Sequence, residues 1–199
     1  TVALARLAGR GATGLRLLLP AAGDPVGLPG PGPFATRALA LGAGVLVEGA
    51  GPSVGLLPEE HPGLVRWQGG PVPGTPAADW APSLAEADRD LAVAVREATD
   101  VLDRLDVGRL DPEQVPVLTA VRDGRLDAEG LAPGYPPRAH QVLARAHRLA
   151  VLVDLARTSD AAAVTAREAA ARRAALAPLE RAARRAQAAA CNAVLEPPR

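Results

Sequence analysis

Several short motifs in this chain have the residue types and spacing for chemistry. Gly9-Arg10-Gly11-Ala12-Thr13-Gly14 is a literal G-x-G-x-x-G, and it follows a run, Val2–Ala8, that reads as a strand. A dinucleotide site needs a helix that begins inside the motif, so that free N–H groups face the pyrophosphate. Here Leu15–Leu19 runs directly into Pro20, so no helix of useful length fits. The acid expected about 20 residues on is also missing, since Asp24 is too near and Glu48 too far. The expectation is a glycine turn between strands. Gly51-Pro52-Ser53-Val54-Gly55 matches G-x-S-x-G, in which the serine is useful only on a tight strand-to-helix turn. The Pro58 and Pro62 that follow forbid a long helix, and His61 stands too close to be the distant base, so an ordinary hairpin is expected.

Candidate metal ligands fail on geometry. Glu59, Glu60 and His61 are adjacent and cannot converge on one ion without a sharp fold, so a solvated turn is expected. His140, His147 and Asp154 recur every seven residues, which on a helix is about 10.5 Å per step. Zinc holds its ligand atoms at about 2 Å, so neighbours in this stripe cannot share an ion. Cys191 lies in an Ala-rich helix end with no activating neighbour and reads as a structural thiol. No catalytic residue, metal site or cofactor is expected. Four residues are retained as candidate binding positions. Asp24 and Phe34 belong to a long Pro/Gly loop that either covers a core or presents a surface. Tyr135 and Arg138 flank Pro136-Pro137 at a helix entry.

The elements that must position these residues fall into two grammars. Residues 1–82 hold 16 of the 20 Gly and 12 of the 20 Pro, with short apolar runs at Gly14–Leu19, Gly44–Glu48, Ser53–Leu57 and Leu64–Gln68. Those runs predict strands of a small, mostly antiparallel sheet, with a hairpin over Gly49-Ala50-Gly51-Pro52 and a short helix at Phe34–Leu41. Residues 83–199 predict an antiparallel helical bundle. Ser83 and Glu86 form a capping box. Leu84, Ala87, Leu91, Ala94, Val95, Ala98, Val101, Leu102 and Leu105 mark one buried stripe ending near Gly108. Asp111-Pro112 starts a short helix, and Tyr135-Pro136-Pro137 opens another that runs to about Arg157. Thr158 or Ser159 caps a last helix, which Pro178 must kink or split. The fold class is α+β, with both parts expected to fold as one cooperative unit.

Composition excludes further classes. The chain has 199 residues, 22 basic and 22 acidic, with no Lys, no Met and one Cys. It is neither a polycation for nucleic acid nor a disulfide scaffold. No apolar run is long enough for a membrane helix. The neutrality is uneven: residues 1–60 balance at 0 (four Arg, four acids), 61–136 at −6 (seven, thirteen) and 137–199 at +6 (eleven, five). Acidic and basic helices are therefore expected to pair their rims, within a chain or between copies. An Arg face on the last helix (Arg167, Arg173, Arg181, Arg184, Arg185) lacks interleaved aromatics, which argues against a nucleic-acid partner.

The run LLLPAAGDPVGLPGPGPF over Leu17–Phe34, with GYPPRA at Gly134–Ala139, resembles an uncharacterised family of hypothetical proteins from high-GC actinobacteria. The resemblance covers most of the chain. It implies a cytoplasmic bacterial protein with both halves folded together, and it implies no activity or cofactor. The leading expectation is a non-enzymatic interaction module that associates with itself, as a homodimer, or with a protein partner. The alternatives are a small-ligand binder or enzyme with a pocket between sheet and bundle, and an Arg-face nucleic-acid binder.

Overall fold

The computed structural model describes residues 2–49, 53–72, 81–104, 115–123, 130–158 and 166–196. The elements run α1 (Val2–Ala8), β1 (Ala12–Leu18), α2 (Pro33–Leu41), β2 (Gly44–Gly49), β3 (Val54–His61), β4 (Leu64–Pro71), α3 (Leu84–Arg104), α4 (Val115–Arg122), α5 (Pro137–Thr158) and α6 (Ala166–Asn192). A short 3-10 turn, Ala193–Leu195, follows α6. The arrangement is α+β. Among the described residues no helix is long and apolar enough to cross a membrane. The chain divides into two compact units, Thr1–Pro82 with Val194–Arg199, and Ser83–Ala193.

In the first unit the strands form an antiparallel meander in the order β1-β2-β3-β4. One face packs on α2, with Leu18, Leu28, Phe34, Ala35, Ala38, Leu46, Leu57 and Val72 forming its core. Pro33 opens α2, where a missing N–H is harmless, and Gly42 closes it with φ 70. The Pro/Gly loop supplies Leu28 and Pro20 to the interior, so it covers the core. Phe34 explains a glycine. A Cβ on Gly55 would fall inside the Phe34 ring and 2.8 Å from Val72 Cγ2. The bare backbone of β3 is therefore the bed on which the only Phe of the chain lies.

Three expectations need correction here. Val2–Ala8 is helical. Ala, Leu and Arg are strong helix formers, and their propensity decides the run. The glycine motif accordingly turns from α1 into β1 rather than between two strands. Glu59, Glu60 and His61 lie in β3, not in a turn; the reversal comes two residues later, where Gly63 takes φ 77. The structure extends β3 through Pro58, which a central strand would reject. Register pairing with β2 ends at Leu56, so the absent N–H of Pro58 breaks no ladder there.

In the second unit the capping box is formed. The Ser83 N–H donates to Glu86 Oε2 at 2.9 Å, and the Glu86 N–H donates to Ser83 Oγ at 3.3 Å. Leu84, Ala87, Leu91, Ala94 and Ala98 of α3 are buried, as their spacing predicts. Val101 and Leu102 lie in the helix, but their side chains fall outside the described set, as do Leu105, Gly108 and Asp111-Pro112. Helix α6 runs through Pro178 without dividing. It buries Leu176, Leu179, Ala182, Ala183, Ala186, Ala189 and Ala190 against α3 and α5. Small alanines let the helix axes approach closely, which compensates for the shortage of large side chains. Acidic α3 and basic α5 pair as their charges suggest: Arg138 Nη2 donates to Asp88 Oδ2 at 2.8 Å, and Arg145 reaches the other oxygen.

Candidate functional site

The strand register and the two-residue pleat sort side chains onto opposite faces. Leu18, Leu46, Leu57 and Val72 fix the α2 side. The opposite face then reads in rows: Leu15, Val47, Val54 and Pro71; Leu17, Val45, Leu56 and Gly69; Pro58 and Trp67; Glu60 and Val65. Among the described residues of these rows a single acid at one end, Glu60, is the only charge. Leu15, Val65 and Trp67 are 41%, 53% and 50% exposed. Sheets with one solvated face normally carry polar residues there, whereas this side is apolar.

Among the described residues strand β4 is also a sheet edge. The Val72 N–H donates to the Ser53 carbonyl at 2.8 Å, and antiparallel bonding pairs alternate from that point. The backbone groups of Gly70, Gln68 and Arg66 therefore face β3, and those of Gly69, Trp67 and Val65 face outward. Pro71 falls in the outward set, where its missing N–H breaks no β3 bond. On the α2 side, Arg37 anchors the edge by donating to Gln68 Oε1 at 3.0 Å and to Glu59 Oε1 at 3.2 Å.

At the hairpin end of the same face, α1 and the turn after it border a cleft of about 550 Å³. Its walls include Leu7, Val47, Val54 and Leu56, with Arg10, Glu48 and Ser53 at its polar positions. Glu48 accepts from Arg16 Nε at 2.5 Å. Ser53 is followed by strand, so it has none of the geometry of a nucleophile elbow.

The four candidate binding residues are placed as follows. Asp24 is 3% exposed, and its backbone closes a turn with Ala21 through bonds of 2.8 and 3.1 Å. Phe34 lies in the core against Gly55. The Tyr135 hydroxyl donates to the Cys191 carbonyl at 2.9 Å, tying the entry of α5 to the end of α6. Burial, with a smaller push from Cys191, raises the Tyr135 hydroxyl above its usual range, and burial raises the Cys191 thiol. Arg138 is engaged with Asp88. Among the described residues no group of His, Cys, Asp and Glu could hold a metal ion. Sequence alone does not single out the open face. Its signal was the unbroken apolar runs Val45-Leu46-Val47 and Leu56-Leu57, which belong to strands apolar on both faces.

Two family models match the chain: the Rv1486c-like protein N-terminal domain over residues 1–80, and the C-terminal domain over residues 85–188. The chain belongs to the Rv1486c-like protein family. Neither description assigns an activity, and the family is consistent with the actinobacterial resemblance. No curated protein and no solved structure matches the chain.

Proposed function

We propose that this protein is a non-enzymatic interaction module that associates with a second copy of itself through the open face of its sheet. The carrying observation is the apolar face with Leu15, Val65 and Trp67 exposed. Its composition favours a like partner, because two copies bring together no like charges except Glu60 at one end. Two such faces stack about 10 Å apart, as in any β-sandwich. Four strands at about 4.8 Å and about six residues at 3.3 Å give a footprint near 400 Å² per copy. That lies below the standard interface, so the association is weak and concentration-dependent.

Sedimentation equilibrium tests this reading. The wild type is expected to dimerise with a dissociation constant between micromolar and millimolar. Trp67→Glu is expected to weaken association by at least about tenfold, since a buried Trp is a typical hot spot. Arg96→Glu, on exposed α3 surface, is expected to leave it unchanged. A wild type that stays monomeric to about 1 mM, or a Trp67→Glu variant that dimerises normally, overturns the proposal.

A further inference from the structure

The cleft beside α1 shares Val47, Val54, Leu56, Gly69 and Pro71 with the open face, so a ligand there and a second copy would compete, but it adds Leu7, Arg10 and Gly11, which the face alone lacks. Its volume, about 550 Å³, lies within the range of small-ligand sites, about 300–1,000 Å³. Leu7, Val47, Val54 and Leu56 make its walls apolar. Two of its described lining residues are ionisable. The pleat puts the Glu48 side chain on the α2 side, where it accepts from Arg16 at 2.5 Å. Arg10 is exposed and makes no side-chain hydrogen bond or ion pair with the described residues. The cleft therefore sets one uncompensated positive charge over apolar walls.

The backbone holds that charge in place. Gly11 has φ 87, a conformation that suits glycine, and its carbonyl packs so closely on Gly49 that a Cβ there would overlap it. Both glycines are needed to fold the Gly9–Gly11 turn onto the end of β2, and Arg10 lies within that turn. The glycine motif thus has a role unrelated to dinucleotides.

We infer that this cleft binds a small amphipathic anion, an aliphatic chain carrying one carboxylate, with the chain against Val47, Val54 and Leu56 and the carboxylate at Arg10. The guanidinium supplies paired donors that match a carboxylate. The inference does not depend on self-association, and the test is run at a protein concentration where sedimentation gives monomer. Decanoate is titrated below its micellar range into ¹⁵N-labelled full-length protein, with decan-1-ol and decyltrimethylammonium as comparison probes. Decanoate is expected to shift the Gly49, Gly69 and Gly70 amides saturably. Arg10→Gln is expected to weaken it by about fivefold, the upper range for an exposed ion pair. Decan-1-ol is expected to bind about as weakly as decanoate does to Arg10→Gln, and the cationic probe more weakly still. Val54→Trp, which fills the cleft, is expected to abolish the shifts. Because Arg10 is exposed, Arg10→Gln stays informative even if Val54→Trp misfolds. Absence of saturable shifts, equal binding by Arg10→Gln, or equal binding of the cationic probe overturns the inference.

Discussion

Gly55 and Gly70 face each other across β3 and β4, yet the same substitution is expected to act oppositely at the two. At Gly55 an added methyl collides with the Phe34 ring and comes within 2.8 Å of Val72 Cγ2. Overpacking of this kind costs about 1–3 kcal/mol. Replacing Gly by Ala returns about 0.4–1 kcal/mol by restricting the unfolded chain. Gly55→Ala should therefore destabilise by about 1–2 kcal/mol. At Gly70 nothing lies within 4 Å of the added atom and φ is not positive, so only the favourable contribution remains. Gly70→Ala should stabilise by about 0.5 kcal/mol, a difference of about 2 kcal/mol between the two positions. Urea unfolding followed by tryptophan fluorescence is the assay, because Trp67 lies in β4 of the first unit. Phe34→Leu supplies the control. In that background Gly55→Ala should lose at least about 1 kcal/mol of its cost, a coupling typical of residues in direct contact. If Gly55→Ala is as stable as Gly70→Ala, or if Phe34→Leu leaves its cost unchanged, the ring does not lie on Gly55 and the account of the core is wrong.

Other outcomes follow from the second unit. Tyr135→Phe removes the 2.9 Å bond to Cys191 and should cost about 1 kcal/mol, visible as a fall of a few degrees in melting temperature by circular dichroism. Tyr135 and Cys191 both have raised folded values. Their contributions are therefore complete below the unfolded values, about 8.5 for Cys and about 10 for Tyr, and are lost as pH rises through the folded ones. A stability profile should fall above about pH 9, less steeply in the Tyr135→Phe, Cys191→Ala double variant. Asp88→Asn weakens the contacts to Arg138 and Arg145. It should cost roughly 1 kcal/mol at low salt and less at high salt, as partly exposed pairs are screened. Ser83→Ala opens the capping box and should cost about 1 kcal/mol, read as earlier melting of the helical signal.

How much of this was legible in the sequence depended on whether the signal was local. The capping box, the helix entry at Pro136-Pro137, the four strands and α2 are written in residues adjacent to the structure they specify. Signals that depended on neighbours were read less well. Val2–Ala8 reads as a strand from its apolar run, but the propensity of Ala, Leu and Arg makes it a helix. Strands β3 and β4 looked shorter than they are because Pro58 and Gly69-Gly70 read as stops. Pro58 is tolerated only because its pairing with β2 has already ended, which register alone reveals. The cleft is likewise a product of packing. Leu7, Arg10, Glu48 and Val54 are far apart in sequence, and nothing in their spacing announces that they share a wall.

The division of the chain has a consequence for the order in which the protein is made. Val194 and the residues after it group with the first unit, and Leu195 lies against Gly14, with its Cδ2 2.7 Å from where a Cβ would stand. The second unit is thus an insertion, synthesised between two pieces of the first. A ribosome delivers the sheet early, but the side chain that seats on β1 arrives only after every residue of the helical unit. During that interval the Gly14 surface stays open on the nascent chain, and the first unit is completed after the second has been made.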